Sequence, residues 1–262
     1  MTLQTVGRVL PEFADEFVGP ALDTSVWVPH YLPAWSSRAA TAAAYEIRDS
    51  ALHLTIPTDH PVWCAGDHTP PLRVSGIQSG SWSGPVGSTQ GQQPFRPGQI
   101  VQEEQPEHWG WTPHGGRVAM RARAVVTPRS MVSLWMVGLE DTPDRCAEIC
   151  VMEVFGDAVV PGVSTGVGSG LHRFRDPRAR EDFAVVHRPI DVADFHVYAV
   201  DWRSDRVSVT VDGQMLRSCE APPDYPMQLM LAVFDFPDRS DGHDADAVPE
   251  LVVDWVRGQA RS

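Results

Sequence analysis

"FHVYAVDWRSDRVSVTVDGQML", residues 195–216, holds two β-rich runs, 195–202 and 206–216, the second with an Asp-Gly pair between apolar residues. Asp-Gly in that setting is a hairpin signal, because a tight primed turn needs positive φ at both central residues. Outward from this stretch the texture repeats. "ALHLTIP" (51–57) and "GRVAMRARAVV" (116–126) alternate apolar and polar residues. "SMVSLWMVGL" (130–139), "EICVMEVF" (148–155), "MQLMLAVFDF" (227–236) and "ELVVDWVRG" (250–258) are further short β-rich runs between Pro, Gly and Asp punctuation. Almost nothing has helical period. Many strands with no helices between them predict an all-β sandwich or jelly roll rather than a βαβ protein. No repeat or linker divides the chain, so residues 1–262 are expected to form a single domain. Residues 75–115 differ: Gly, Ser, Gln and Pro surround Trp82, Trp109 and Trp111. A loop this long in a compact domain usually has a function.

The 262 residues are 42% hydrophobic, enough for a sizeable core. A formal net charge of −13 argues against DNA, RNA or an anionic membrane surface as partner. No apolar run approaches the ~18 residues of a membrane-spanning helix. "MTLQTVGRVLPEFADEF" has no basic segment followed by an apolar one, so no signal peptide is expected. The chain reads as cytoplasmic unless its leader lies outside this sequence. All 21 basic residues are arginine, and the absence of lysine excludes Schiff-base and P-loop chemistry. Without asparagine there is no N-glycosylation acceptor. Cys64, Cys146, Cys150 and Cys219 have no zinc-ligand spacing and are expected as reduced structural thiols.

Several short motifs carry little. "GVSTG" (162–166) matches the nucleophile elbow around Ser164, but the elbow needs a helix after the serine, and "VGSGLHRF" is too glycine-rich to start one. A glycine loop is the plainer expectation, and "GVGSG" fails as a dinucleotide fingerprint for the same reason. "DFPDRSDGHDADAVPE" (235–250) holds six carboxylates out of EF-hand order, as a solvated acidic loop would.

Glu148 and Glu153 pose a sharper question. Their odd separation on a strand puts them on opposite faces, unless a bulge near Val151–Met152 inserts one residue. With that bulge, Glu148, Cys150 and Glu153 point the same way, and the two side chains leaning together bring their carboxyls to ~5–6 Å. A retaining glycosidase holds its nucleophile and acid at ~5–5.5 Å. Two glutamates on a polar strand face remain the competing explanation.

The surrounding text resembles glycoside hydrolase family 16, the laminarinase, lichenase and agarase family. Its Glu-x-Asp-x-x-Glu signature stands here as Glu148-Ile-Cys-Val-Met-Glu153. "GGRVAMRAR", "SLWMVGLE", "FHVYAVDWRSDRVSVTVDGQML", "YPMQLMLAVF" and "ELVVDWVR" are similar to the family's successive strands, and "FADEFVGPALDTSVW" to its opening. The resemblance implies a curved two-sheet jelly roll of the concanavalin A type with a concave sugar-binding cleft. It implies Glu148 as nucleophile, Glu153 as general acid/base and His172 near the catalytic centre. Trp135 would line the cleft; Trp109 and Trp111, in the long loop, are candidates for stacking on a sugar. No cofactor is required. Many members hold a structural calcium, which Asp254 and the Glu16 region match. The expected partner is a polysaccharide or oligosaccharide, β-1,3-glucan first, cut internally by a monomeric enzyme.

Two departures qualify this. Cys150 replaces the family's central aspartate, and Ala232 stands where the family has an asparagine. A thiol is mostly neutral at pH 7, and loss of a nearby negative charge should lower the pKa of Glu153, although a general acid needs a raised one. The alternative is therefore a carbohydrate-binding protein with lapsed catalysis.

Overall fold

The computed structural model describes residues 12–242, 244 and 246–259. Residues 1–11, most of the stretch read for a leader, lie outside it. The Asp-Gly turn forms as its sequence requires, with φ of 51° at Asp212 and 75° at Gly213. It joins β14 (Arg206–Val211) to β15 (Gln214–Glu220), and β13 (His196–Trp202) pairs with β14 on the other side.

These strands begin an eight-stranded antiparallel sheet. It continues through β7 (Gly116–Val125), β17 (Glu250–Gln259), β3 (Ala51–Thr55) and β2 (Ala44–Arg48), with β1 (Phe13–Asp15) also paired to β17. The seven-stranded second sheet runs β10 (Val159–Val160), β11 (Ser164–His172), β9 (Glu148–Phe155), β8 (Ser130–Gly138), β16 (Met227–Asp235) and β4 (Arg73–Gln78); β12 (Asp182–Arg188) joins β11. A two-stranded ribbon, β5 (Gly80–Ser81) with β6 (His108–Trp109), completes the set. The protein is a two-sheet β-sandwich of jelly-roll type. Among the described residues the only helical pieces are three short 3-10 turns.

The two sheets face each other across one apolar layer. On β7, Val118, Met120, Ala122 and Ala124 enter this layer, while Arg117 and Arg121 on the opposite face pair with Asp201 and Asp254. Period-two alternation is what a strand with one wet face requires. The central strands β8, β9 and β16 read as continuous apolar runs for a different reason. Their inner faces meet Leu52, Met120 and Tyr198 of the interlayer core. Their outer faces carry a second cluster, in which Trp135, Cys150, Met230 and Phe234 are covered by Leu32, Trp35 and Trp63.

Loops therefore overlie part of the outer face of the seven-stranded sheet. Residues 75–115 are not one loop: the end of β4 and all of β5 and β6 fall within them. The irregular remainder crosses the sheet and is tied down where Trp35 Nε1 donates to the Gln92 carbonyl and the Gln102 amide to the Ala34 carbonyl.

The glycines of "GVGSG" lie in a strand, not a loop, and no helix follows Ser164, so the nucleophile elbow is excluded. Gly168 leaves space for the Phe183 ring, 2.6 Å from where a Cβ would stand. Gly170 has φ of 134°, and a Cβ there would meet the Asp182 carbonyl oxygen at 2.0 Å. Gly170→Ala is expected to cost roughly 3 kcal/mol or more, since backbone strain and a backbone clash combine. The shift in the midpoint of urea unfolding measures it.

Candidate active site

On β9 the pairing slips. Along β8, Leu134 faces Met152 and Trp135 faces Cys150; along β11, Gly168 faces Glu153 and Gly170 faces Cys150. Both neighbours skip one residue of β9, which makes Val151 the extra one. Val151 and Met152 consequently both enter the interlayer core, while Cys150 belongs to the outer cluster. Beyond the bulge the alternation has changed phase, so Glu153 returns to the face of Glu148 and Cys150. The odd spacing of the glutamates is thereby resolved.

Glu148 is only 7% exposed. One of its oxygens, Oε1, accepts from Gln93 Nε2 at 2.5 Å, and Oε2 lies 3.8 Å from the Cys150 thiol. Gln93 is itself anchored, its backbone N–H donating to Glu140 Oε1 at 2.5 Å. Arg175 holds the other Glu140 oxygen. Burial and then the Glu153 charge push the Glu148 carboxyl up to about 8, against the hydrogen bonds from Cys150 and Gln93.

Burial also raises Glu153, while the Cys150 hydrogen bond and the His172 charge act the other way. Glu153 is thus raised above its ordinary value even with a thiol at position 150. Desolvation is the largest cause of that rise. Burial and the two flanking glutamates hold the Cys150 thiol well above its ordinary range, so it stays neutral and acts as a donor.

His172 pairs in register with Glu148. Its Nδ1 lies 2.6 Å from Glu181 Oε1, and its ring stacks on Phe183 at 4.6 Å between centroids. The structure thus brings Glu148, Cys150, Glu153 and His172 together. Trp135 is on the same face opposite Cys150, but at 5% exposure it supports the floor and packs against Phe234. Ala232 lies opposite Ser133, which in turn faces Glu153.

Other expected residues go elsewhere. Trp111 stacks on Phe13 at 4.6 Å and covers Gly258, so it packs against the interlayer core and is not free to hold a sugar. Trp109 is 40% exposed on the β5–β6 ribbon, with its indole N–H donating to Glu107. Glu16 is bound by Arg257 through both oxygens, and Asp254 by Arg121 at 2.5 Å. The two carboxylates do not fit a calcium site, because a divalent ion would have to displace two guanidiniums. Added calcium is accordingly expected to leave the Tm unchanged.

The stretch 235–250 is only partly the solvated loop expected. Asp235 is fully buried between Arg73 and Arg129, at 2.7 and 2.6 Å; residues 243 and 245 lie outside the described set. All four cysteines are buried and free.

Sequence reading missed several residues. Gln93 is the clearest, since nothing marks one glutamine of a Gln-rich loop as the partner of Glu148. Tyr31 and Trp63 meet edge-to-face at 5.3 Å over the sheet, and the Glu148 charge reaches the Tyr31 phenol. Phe155, two residues beyond Glu153 on the same face, stacks on Phe236 at 6.0 Å with Arg239 above both rings. The aromatic-rich segments "YLPAW" and "PVWC" were the available signal for the first group.

A two-sheet jelly roll with a bulged central strand that presents two carboxylates on its outer face defines a class of carbohydrate-active β-sandwich. Residues 114–257 match the model of the glycosyl hydrolases family 16. The chain belongs to that family of glycoside hydrolases. Among curated proteins none matches the sequence significantly.

Solved structures of similar fold include the GlcNAcα1-4Gal-releasing endo-β-galactosidase of Clostridium perfringens. There the TM-score is 0.75 at 22% identity, over 95% of this chain and 62% of that one. The catalytic domain of an endo-1,3-β-glucanase (laminarinase) from Thermotoga petrophila RKU-1 gives 0.66 at 15% identity, over 95% and 96%. A laminarinase from Flavobacterium sp. UMI-01 gives 0.63 at 17%, over 95% and 100%. The chain spans less than two thirds of the Clostridium protein. At these identities the likeness is one of fold.

Proposed function

We propose that the protein is a retaining, endo-acting glycoside hydrolase whose first substrate is β-1,3-glucan. The observation that carries the reading is the Val151 bulge, which puts Glu148 and Glu153 on one face. In this mechanism Glu148 attacks the anomeric carbon while Glu153 gives its proton to the leaving oxygen. Water then releases the glycosyl-enzyme with Glu153 as base. Gln93 and Cys150, one on each oxygen, orient Glu148 for attack. The raised carboxyl of Glu153 suits a general acid. Laminarinases among the similar folds support the glucan, and the endo-β-galactosidase makes a β-galactoside the first competitor.

Incubation with laminarin, lichenan, agarose, carrageenan, xyloglucan and a β-galactoside-bearing glycan, with product sizing, tests the proposal. Internal cleavage of laminarin with retained configuration is expected. Release of single sugars from chain ends, or inversion, would contradict it.

The burial of Glu148 supports a second reading, a carbohydrate-binding protein with weak catalysis. A carboxyl pushed up to about 8 leaves Glu148 mostly protonated, and so a poor nucleophile, at neutral pH. Affinity electrophoresis that retains the protein on a glucan it never cuts would favour this reading. Cys150→Asp bears on both. It replaces a hydrogen-bond donor by a charge, so both glutamates should hold their protons longer. Both limbs of kcat/KM against pH are expected to move up by about one unit. Unmoved limbs would mean that position 150 does not set these protonation states.

A further inference from the structure

We propose that Cys150, Glu153 and His172 form a binding site for a thiophilic divalent cation, zinc fitting best, at the place where the glycosidic bond would be cut. A bound ion would then inhibit the enzyme. The binding does not depend on the glycosidase reading; only the inhibition does.

One potential ligand atom from each residue, the thiol sulfur, a Glu153 oxygen and a His172 ring nitrogen, lies within 4.8 Å of the other two. Zinc binds such atoms at ~2.0–2.3 Å in a tetrahedron, which places ligands ~3.3–3.8 Å apart, so about 1 Å of side-chain movement closes the set. The backbone already holds the register: His172 is opposite Glu148, and Gly170 opposite Cys150.

Three features around the cluster favour a metal. Glu181 Oε1 stands 2.6 Å from His172 Nδ1, and a carboxylate on the far ring nitrogen is the partner that orients a metal-binding histidine and leaves Nε2 to the ion. Glu148 Oε2, 3.8 Å from the sulfur, offers a fourth ligand, with Gln93 holding its other end. Unlike Glu16 and Asp254, neither Glu148 nor Glu153 has a guanidinium partner among the described residues, so a dication would have no arginine to displace. A mixed sulfur, nitrogen and oxygen set selects zinc over calcium or magnesium, which prefer oxygen alone. On ligation the S–H bond gives way to a sulfur–metal bond, the proton passes to buffer, and nothing is oxidised.

Cobalt(II), added to the whole protein and followed by absorption, is the probe. A thiolate-to-cobalt charge-transfer band with tetrahedral ligand-field bands should grow to a single equivalent and vanish when zinc is added. Cys150→Ser should lose the charge-transfer band, and Cys146→Ser should keep it. Glu181→Gln should keep the band but weaken binding by about 10-fold or more. That variant decides the matter should Cys150→Ser fail to fold. Absence of the band in the wild type, its persistence in Cys150→Ser, or unchanged affinity in Glu181→Gln would overturn the site. Zinc should also compete with oligosaccharide in hydrolysis, reversibly with EDTA. Binding without competition would overturn its placement at the reacting centre. A protein that binds cobalt through Cys150 and cuts no glycan would retain the site and lose the glycosidase proposal.

Discussion

Replacing Glu148 with glutamine is expected to lower kcat by roughly 10⁴- to 10⁶-fold, the scale on which loss of a covalent nucleophile acts. The same change should make the fold more stable at neutral and alkaline pH. Glu148 is nearly fully buried and its carboxyl is pushed up to about 8, whereas an unfolded glutamate titrates at ~4.3. Below the lower value both states are protonated, and the group is not penalised. Between the two values the folded protein keeps a proton that the unfolded chain has released, so stability declines as pH rises, and the full penalty applies above the folded value. Glutamine has the same shape without the charge. Its stabilising effect should be near zero at about pH 4 and reach a few kcal/mol at about pH 9. Urea unfolding of both proteins at these pH values, alongside turnover, measures the two halves. Wild-type turnover would move the active site elsewhere. A stability difference that does not grow with pH would contradict the buried carboxyl.

Glu153→Ala is expected to reduce cleavage of a polysaccharide by about 10²- to 10⁴-fold, the usual contribution of a positioned acid. A substrate whose leaving group needs no proton should lose far less in the first step. Azide, small enough for the space the carboxylate leaves, should restore turnover and yield the β-glycosyl azide. The corresponding Glu148→Ala variant should give the α-azide, because azide then attacks the substrate directly. The configuration of the product, read by NMR, therefore assigns each glutamate its role. An α-azide from Glu153→Ala would exchange the roles, and no azide product from either would remove the pair from catalysis.

Much of the fold could be read from local chemistry. Asp212-Gly213 marks its own turn because few residue pairs accept two positive φ angles in succession. The β7 strand announces its wet and dry faces through alternation. Strands β8, β9 and β16 were legible as strands but not by face, since a run buried on both sides carries no period. Trp111 was misread for a related reason. An aromatic residue in a loop has the same sequence signature whether it awaits a sugar or rests on Phe13. Glu16 and Asp254 looked like ligands because the arginines that occupy them, Arg257 and Arg121, could not be assigned as partners in advance.

The sequence by itself determined the all-β class, the hairpin, the exclusion of lysine chemistry and the five-residue spacing that unites Glu148 and Glu153 on one face only if a bulge lies between them. These follow from residue identity and separation, which survive in a linear string. Only the tertiary structure decided that Gln93 reaches Glu148, that Glu181 backs His172, and that burial raises both glutamates. Gln93 and Glu148 are 55 residues apart, and desolvation depends on what the loops lay over a strand. Both are set by how distant segments pack, and no local pattern encodes that.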